Sequence, residues 1–316
     1  MKKNIIVTGG AGFIGSHIAS RLINSGYDVT ILDNLSTGTL KNVPEGASFI
    51  KMDLSLEKSL LKLKRIKGEA LLHLAGQSSG EASFRDPLYD FKSHVLSTFW
   101  LLKWCKDNGV KRFMYASSMS TYGDPLYQPV DEAHPQNPKT FYGSAKSSAE
   151  AYIKLYHSLG LNTTIFRLFS VYGPGQNLSN KMQGMVSIYL SYLLENKPIL
   201  VKGPLQRFRD LVFVDDVVDI WLASLDNPVT YGKVYNVASG KKTTVTRLLR
   251  LLKFYYGDPD HKVQLRKGTP GDQFGVVADI SRISKDLKWS PQHSLRSGLK
   301  SMVDIEKRRM GNCLIR

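Results

Sequence analysis

Thr8-Gly9-Gly10-Ala11-Gly12-Phe13-Ile14-Gly15 reads TGGAGFIG and follows the short apolar run Asn4–Thr8, NIIVT. An apolar run that ends in glycines predicts a buried strand. The periodic apolar residues from Gly12 to Asn24 predict a helix, with Gly26 as its stop. Glycines at 9, 12 and 15 allow a tight strand-to-helix turn. They also let the backbone approach a pyrophosphate at the positive helix end and let the helix lie close to the sheet. A glycine triplet alone is weak evidence. Here strand, helix and an acid, Asp33, eighteen residues past Gly15, all agree. An acid at that distance bonds ribose hydroxyls and repels a 2′-phosphate. The residues after it, Asn34-Leu35-Ser36-Thr37-Gly38, contain no arginine, so NAD is favoured over NADP. Asp53 and Leu54, after the third strand, are placed to face an adenine, although a loop acid serves a turn equally well.

Working outward, residues 28–32, 48–52, 70–74, 112–117 and 162–168 read as further strands. Helical patterns separate them, notably 86–108, closed by Gly109, and about 140–159, closed by Gly160. Alternating strands and helices predict an α/β chain with a Rossmann-type, doubly wound parallel sheet. Beyond about residue 172, Pro174, Pro198, Pro204, Pro228, Pro259, Pro270 and Pro291 cut the rhythm into short pieces. The expected division is a dinucleotide-binding domain over 1–172 that receives segments of about 209–240. Residues 173–208 and 241–316 would form a smaller C-terminal α+β substrate lobe. No internal repeat is present.

The chain has 316 residues, 42% hydrophobic and 22% charged, which is ordinary for a globular protein. Two cysteines, Cys105 and Cys313, are too few for a disulfide framework and suggest a reducing, cytoplasmic setting. The start MKKNIIVTGG imitates a signal peptide, but its apolar run is only Ile5-Ile6-Val7. No run approaches the roughly 18 apolar residues of a membrane span. The formal net charge of +16 raises the question of nucleic acid. The basic residues are scattered, however. The densest stretch, 58–67, alternates leucines with lysines as an amphipathic helix with a solvated face would, and Lys307-Arg308-Arg309 is short. Aromatics do not interleave with either stretch, so no nucleic-acid partner is expected. No metal site is expected.

Two further stretches carry chemistry. Ser117-Ser118-Met119-Ser120-Thr121-Tyr122-Gly123 holds four hydroxyls and a phenol, and no acid or histidine. Tyr142-Gly143-Ser144-Ala145-Lys146 places a phenol and an ammonium four apart, on one face of a helix. A phenol titrates near ~10 and is a poor base at neutral pH. A nearby ammonium and a positive nicotinamide ring both favour phenolate, which predicts a lowered value. Tyr-x-x-x-Lys is common by chance. Its position after the fifth strand, 24 residues past Ser118, gives it weight.

The segments TGGAGFIG, DNLSTG, HLAGQ, SSMSTYG, YGSAK, RLFSVYGPGQ and RDLVFVDDVV occur in this order. Together they resemble the extended short-chain dehydrogenase/reductases, in the NAD-dependent nucleotide-sugar epimerase/dehydratase branch, on the side of the UDP-glucose 4-epimerases. The resemblance spans residues 3 to about 299. It implies that Gly9, Gly12, Phe13, Ile14 and Gly15, with Asp33, Asn34, Ser36, Thr37 and Gly38, hold NAD. Asp53, Leu54, Leu74, Ala75, Gly76, Gln77 and Ser117 would complete the cofactor wall. Tyr142 would be the base and Lys146 its helper. Ser118, four before the tyrosine of the xYG turn, would share the substrate proton.

In related 4,6-dehydratases the two residues after that hydroxyl are Asp and Glu, and in decarboxylases the second is Glu. Here they are Met119 and Ser120, so the resemblance implies oxidation and reduction without elimination, as in a UDP-sugar 4-epimerase. The alternatives it leaves are an NAD(P)-dependent nucleotide-sugar reductase or dehydratase and a non-catalytic binding member. Arg209 matches the diphosphate-binding arginine, a task suited to the guanidinium fork. Ser170 stands where an Asn is common, and so does His94. Thr269 replaces a second phosphate arginine, a role the resemblance leaves to Gln273 or Arg266. Val276, three before Asp279, occupies a size-setting position and would admit an N-acetyl group. The resemblance also implies a homodimer through the two long helices and a place in polysaccharide biosynthesis.

Overall fold

The structure, a computed structural model, describes residues 2–269 and 271–314. Its strands are β1 (Asn4–Thr8), β2 (Asp28–Asp33), β3 (Ser48–Lys51), β4 (Ala70–His73), β5 (Arg112–Ser118) and β6 (Asn162–Leu168). Then come β7 (Ser170–Tyr172), β8 (Ile199–Lys202), β9 (Phe208–Phe213), β10 (Lys233–Val237), β11 (Lys242–Thr244) and β12 (Val263–Arg266). The helices that position the site are α1 (Phe13–Asn24), α2 (Ser59–Leu63), α3 (Gly80–Ser83), α4 (Pro87–Phe91), α5 (Ser97–Asp107) and α6 (Phe141–Ser158). Further along the chain lie α7 (Met185–Leu194), α8 (Val214–Leu225) and α9 (Val245–Tyr256).

Seven strands form one sheet in the order β10-β6-β5-β4-β1-β2-β3. Every pairing in it is parallel. The expected doubly wound sheet is therefore present. The strand order reverses between β1 and β4, so the crevice beyond their carboxyl ends is where such folds bind ligands. In β1, Ile5 and Val7 enter the core on one face of the sheet and Ile6 the core on the other. That is the period of two for a strand covered on both sides. The first core also takes Ile18 and Leu22 of α1 and Trp221 of α8; the second takes Leu101 of α5 and Ile153 of α6. Burying one such side chain contributes roughly 1.5–3 kcal/mol.

After residue 172 only β10 joins the large sheet. β11, β9 and β7 form a mixed three-stranded sheet, and β12 pairs with β8. Residues 86–108, read as one helix, are helical throughout but change pitch. Asp86 caps α4 by accepting from Tyr89 N at 2.9 Å, and a π turn over Lys92–Leu96 joins α4 to α5. The basic stretch 58–67 folds as only the short α2. Cys105 is buried, and burial pushes its thiol well above the ordinary range. The side chain of Cys313 lies outside the described residues.

Candidate active site

A cleft of about 580 Å³ runs along the carboxyl ends of β1, β2, β4 and β5 and on towards β9. At one end the glycine loop turns with Gly9 at φ +71°. A Cβ on Gly9 would sit 2.7 Å from the Ala75 amide, and one on Gly15 would strike the Gly9 carbonyl. Gly12 caps α1, no side chain occupies the cap and the first turn carries no acid, so its amides are left for a phosphate. Asp33 ends β2 with 7% exposure. Its carboxylate accepts from Ala11 N at 3.0 Å and from Leu35 N at 2.7 Å, and the residue lines the cleft. Phe13, Ile14, Asn34, Ser36 and Thr37 line the same end. Asn34 accepts from Ser36 N at 2.9 Å, which orders that turn. Asp53 accepts from the amide and hydroxyl of Ser55 at 3.0 and 2.6 Å. Burial opposes its ionisation, but the Ser55 bonds, with Asn34 and the Lys58 charge, together hold the carboxyl below its usual range. Leu54, Leu74, Ala75, Gly76 and Gln77 complete the wall. A loop with no room for side chains, open amides and an acid at the end of β2 fit a dinucleotide.

At the chemical end, β5 delivers Ser118, whose hydroxyl accepts from Ser120 N and donates to Ser120 Oγ, both at 3.2 Å. Thr140 caps α6 through Gly143 N at 3.0 Å, which sets the first turn of α6 against that hydroxyl. Tyr142 and Lys146 follow one turn apart, and both line the cleft. The Lys146 ammonium donates to Ala116 O at 2.7 Å and lies 4.6 Å from the centre of the Tyr115 ring. Burial pulls Lys146 down to about 7, against the opposing fields of Asp90 and Glu150. Burial also pushes Tyr142 up to about 12; a bond from Ser118 favours its phenolate, and Asp90 disfavours it. The lowered phenol expected from the sequence is thus not produced by the protein's own groups. Desolvation outweighs the bond from Ser118.

The third region holds Ser170, Arg209, Gln273 and Arg266 in the cleft wall, together with Arg207, Lys181 and Lys202. Arg209 is 9% exposed. It donates to Phe208 O at 2.7 Å and Gln273 O at 3.0 Å, and it pairs with Asp272 at 2.5 Å. Arg207 pairs with the same carboxylate. Gln273 donates to Gly123 O, joining this wall to the SSMSTYG turn.

The sequence model of the NAD dependent epimerase/dehydratase family matches residues 5–238. The chain belongs to that family. Among its relatives is a putative UDP-glucose 4-epimerase of Methanocaldococcus jannaschii, 35% identical over 96% of this chain and 98% of the relative. The UDP-glucose 4-epimerase of Mycolicibacterium smegmatis is 32% identical, with 95% and 97% covered. The crystal structure of the Thermotoga maritima UDP-glucose 4-epimerase with UDP-glucose superposes at a TM-score of 0.92 and 33% identity. It covers 97% of this chain and 99% of that one.

For a member of this epimerase/dehydratase family, several side chains are placed differently from the sequence reading. Ser117 lines the cleft, but its hydroxyl points away and donates to Glu150 at 2.6 Å. Adjacent residues of a strand face opposite ways, so Ser118 alone presents its hydroxyl. Gly38 is not in the wall: a Cβ there would meet Ala11 O at 2.5 Å, so it backs the glycine loop. Val276 does not line the cleft either. It is fully buried with Tyr122, Phe169 and Ala278, and so cannot set sugar size by contact. The sequence reading passed over Glu150, four residues past Lys146, which accepts from Arg167 at 3.0 and 2.7 Å. It passed over Asp90 as well, four residues before His94. The i, i+4 spacing was the available signal in both cases.

Proposed function

We propose that the chain is an NAD-dependent 4-epimerase of a UDP-sugar: UDP-glucose, UDP-N-acetylglucosamine or UDP-glucuronate. The observation that carries this reading is the set of carboxylates around the cleft. Ser118, Tyr142 and Lys146 meet there, and the described lining acids are Asp33, Asp53, Glu81 and Asp272. The first two stand at the cofactor end. Glu81 pairs with Lys202 at 2.8 Å, and Asp272 pairs with two arginines. Among the described residues no acid is left beside Ser118 for elimination, because Met119 and Ser120 occupy the turn. The site can oxidise and reduce a carbinol and do nothing more to it.

In this reading Tyr142 takes the proton of the sugar 4-hydroxyl, and Ser118 shares it. NAD, which the glycine loop and Asp33 would hold, would supply the hydride acceptor and donor for carbon 4. Lys146 supplies the positive charge that the phenolate needs. The flat 4-keto sugar turns within the cleft, and Tyr142 gives its proton back on the other face. Arg209, with Arg207 and Arg266, would hold the diphosphate, and Ser170 and Gln273 would meet the sugar nucleotide. Residues 1–172 with about 209–240 would carry NAD, and 173–208 with 241–316 the nucleotide-sugar. No described helix is long and apolar enough to cross a membrane. With a buried free thiol at Cys105, we place the enzyme in the cytoplasm, supplying sugars for polysaccharide biosynthesis. Leu88 and Phe91 on α4, Tyr152 and Leu155 on α6 and Leu159 at the C-cap of α6 expose 40–61% of their surface, as a homodimer interface would.

Absorbance at 340 nm during incubation with each UDP-sugar tests the reaction class. An epimerase forms product with no net change in NADH; stoichiometric NADH formation or consumption would make the chain an oxidoreductase.

A further inference from the structure

Two charged groups at the chemical end lack the partner that burial demands. Lys146 is 4% exposed. Its ammonium has one carbonyl, Ala116, and the faces of Tyr115 and Tyr142, with centroids at 4.6 and 5.8 Å. No carboxylate among the described residues touches it. Two act on it from further away, Asp90 first and then Glu150. Glu150 is already committed to Arg167, to Ser117 and to Gln136 at 2.7 Å. Asp90 is not committed. It is fully buried, its Oδ1 accepts from Gln77 Nε2 at 2.6 Å, and its Oδ2 has no partner.

His94 closes the other side of Asp90. Its Nε2 donates to Gln77 O at 2.8 Å, which leaves Nδ1 unprotonated and without a partner. Its ring meets Tyr142 edge-on at 5.3 Å and lies 3.8 Å from the Asp90 carboxylate. Only a glycine at 76 leaves space for that ring, since a Cβ there would come within 2.6 Å of Nδ1. His94 is buried within the π turn over Lys92–Leu96, and π turns often mark functional sites.

We propose that Asp90 is a positioning residue for the catalytic pair: a buried counter-charge, clamped by Gln77 and walled in by His94, that keeps Lys146 ionised beside Tyr142. This rests on the reading of Tyr142 and Lys146 as that pair. His94, from its own helical segment, lies 3.8 Å from the Asp90 carboxylate, whose charge also acts through space on Lys146 and Tyr142 of α6 and on Tyr115 of β5. His94 is neutral, pulled well below its ordinary value by burial and by Lys146. Burial holds Asp90 above its usual range, against Gln77 and Lys146. A negative charge favours the ammonium and disfavours the phenolate, so its removal moves both proton losses to lower pH. The two apparent values belong to the pair.

The test is an NMR titration of the full chain labelled at lysine Cε, with Lys146 assigned by its absence in Lys146→Met. Surface lysines titrate near ~10.4, so a resonance moving near neutrality stands apart. Asp90→Asn should lower its midpoint by about one pH unit, a tenfold loss of proton affinity. The kcat–pH profile should shift to lower pH, with KM within about twofold. An unmoved Lys146 midpoint in folded Asp90→Asn overturns the proposal, whatever the activity. A moved midpoint in a protein that turns over no UDP-sugar supports the counter-charge and rejects the epimerase reading. Should Asp90→Asn not fold, the Asp90 carboxyl resonance in Lys146→Met serves instead. Its midpoint should rise by a similar amount, and an unchanged value overturns the proposal.

Discussion

Tyr142 and Lys146 show how one burial acts on two groups in opposite directions. Water is removed from both, which favours the neutral form of each: the phenol rises to about 12 and the ammonium falls to about 7. If Tyr142 is the proton acceptor, Tyr142→Phe should lower kcat by about 10²–10⁴ while leaving NAD affinity within a few-fold. Single-turnover kinetics and a cofactor titration measure the two separately, and near-normal turnover would remove Tyr142 from the chemistry. Lys146 also carries a stability consequence. Its folded value lies below the ordinary 10.5, so the unfolded chain binds more protons between pH 7 and 10.5. The penalty for burying it is complete below pH 7 and vanishes as the pH approaches 10.5. Lys146→Met should therefore melt higher than the wild type by a few degrees at pH 6.5, with a gap that closes towards pH 10. Calorimetry at several pH values checks this, and a pH-independent gap would show that Lys146 is not held near neutrality.

At the level of elements, the glycine loop was legible because it needs only local facts: an apolar strand, three glycines and an acid after the next strand. The structure adds the reason for each glycine by contact. Gly15→Ala would press its methyl group onto the Gly9 carbonyl, so the loop must open. NAD affinity should fall at least about tenfold, since the amides of the first turn no longer converge. A fluorescence titration with NAD reads this, and unchanged affinity would mean that the loop does not cradle the phosphates. Other features were hidden from sequence for physical reasons. A π turn adds one residue to one helical turn and barely disturbs the apolar period, so 86–108 read as an ordinary helix. Which of Ser117 and Ser118 faces the cleft depends on strand parity. Val276 is held away from the cleft by long-range pairing, an isolated bridge of Val130 with Ala278 and a bond from Val277 N to the Gln128 side chain, and no local pattern marks it.

For the whole molecule, the strand order puts every chemical group at one edge of the sheet. The cofactor loop, the Ser118 turn and α6 all sit beyond strand carboxyl ends, and the segment after residue 172 supplies the opposite wall. The exposed apolar residues lie on α6, which carries Tyr142, and on α4, which runs directly into the π turn that carries His94. A homodimer through this face would therefore brace the site from behind. If the chain dimerises through this face, Leu155→Glu combined with Phe91→Glu should give a monomer in sedimentation equilibrium, and a dimer mass retained in the double variant would place the interface elsewhere. The net charge of +16 suits an anionic UDP-sugar drawn to a cleft whose third region carries Lys181, Lys202, Arg207, Arg209 and Arg266.

The central claim is that a hydride leaves carbon 4 and comes back to the same atom. The most direct measurement is proton NMR of the products formed from UDP-glucose, UDP-N-acetylglucosamine and UDP-glucuronate, each deuterated at carbon 4, in ordinary water. The account predicts that at least one is converted to its 4-epimer with the deuterium retained at carbon 4. Appearance of a proton at that carbon, or loss of water or carbon dioxide in place of epimerisation, would contradict it.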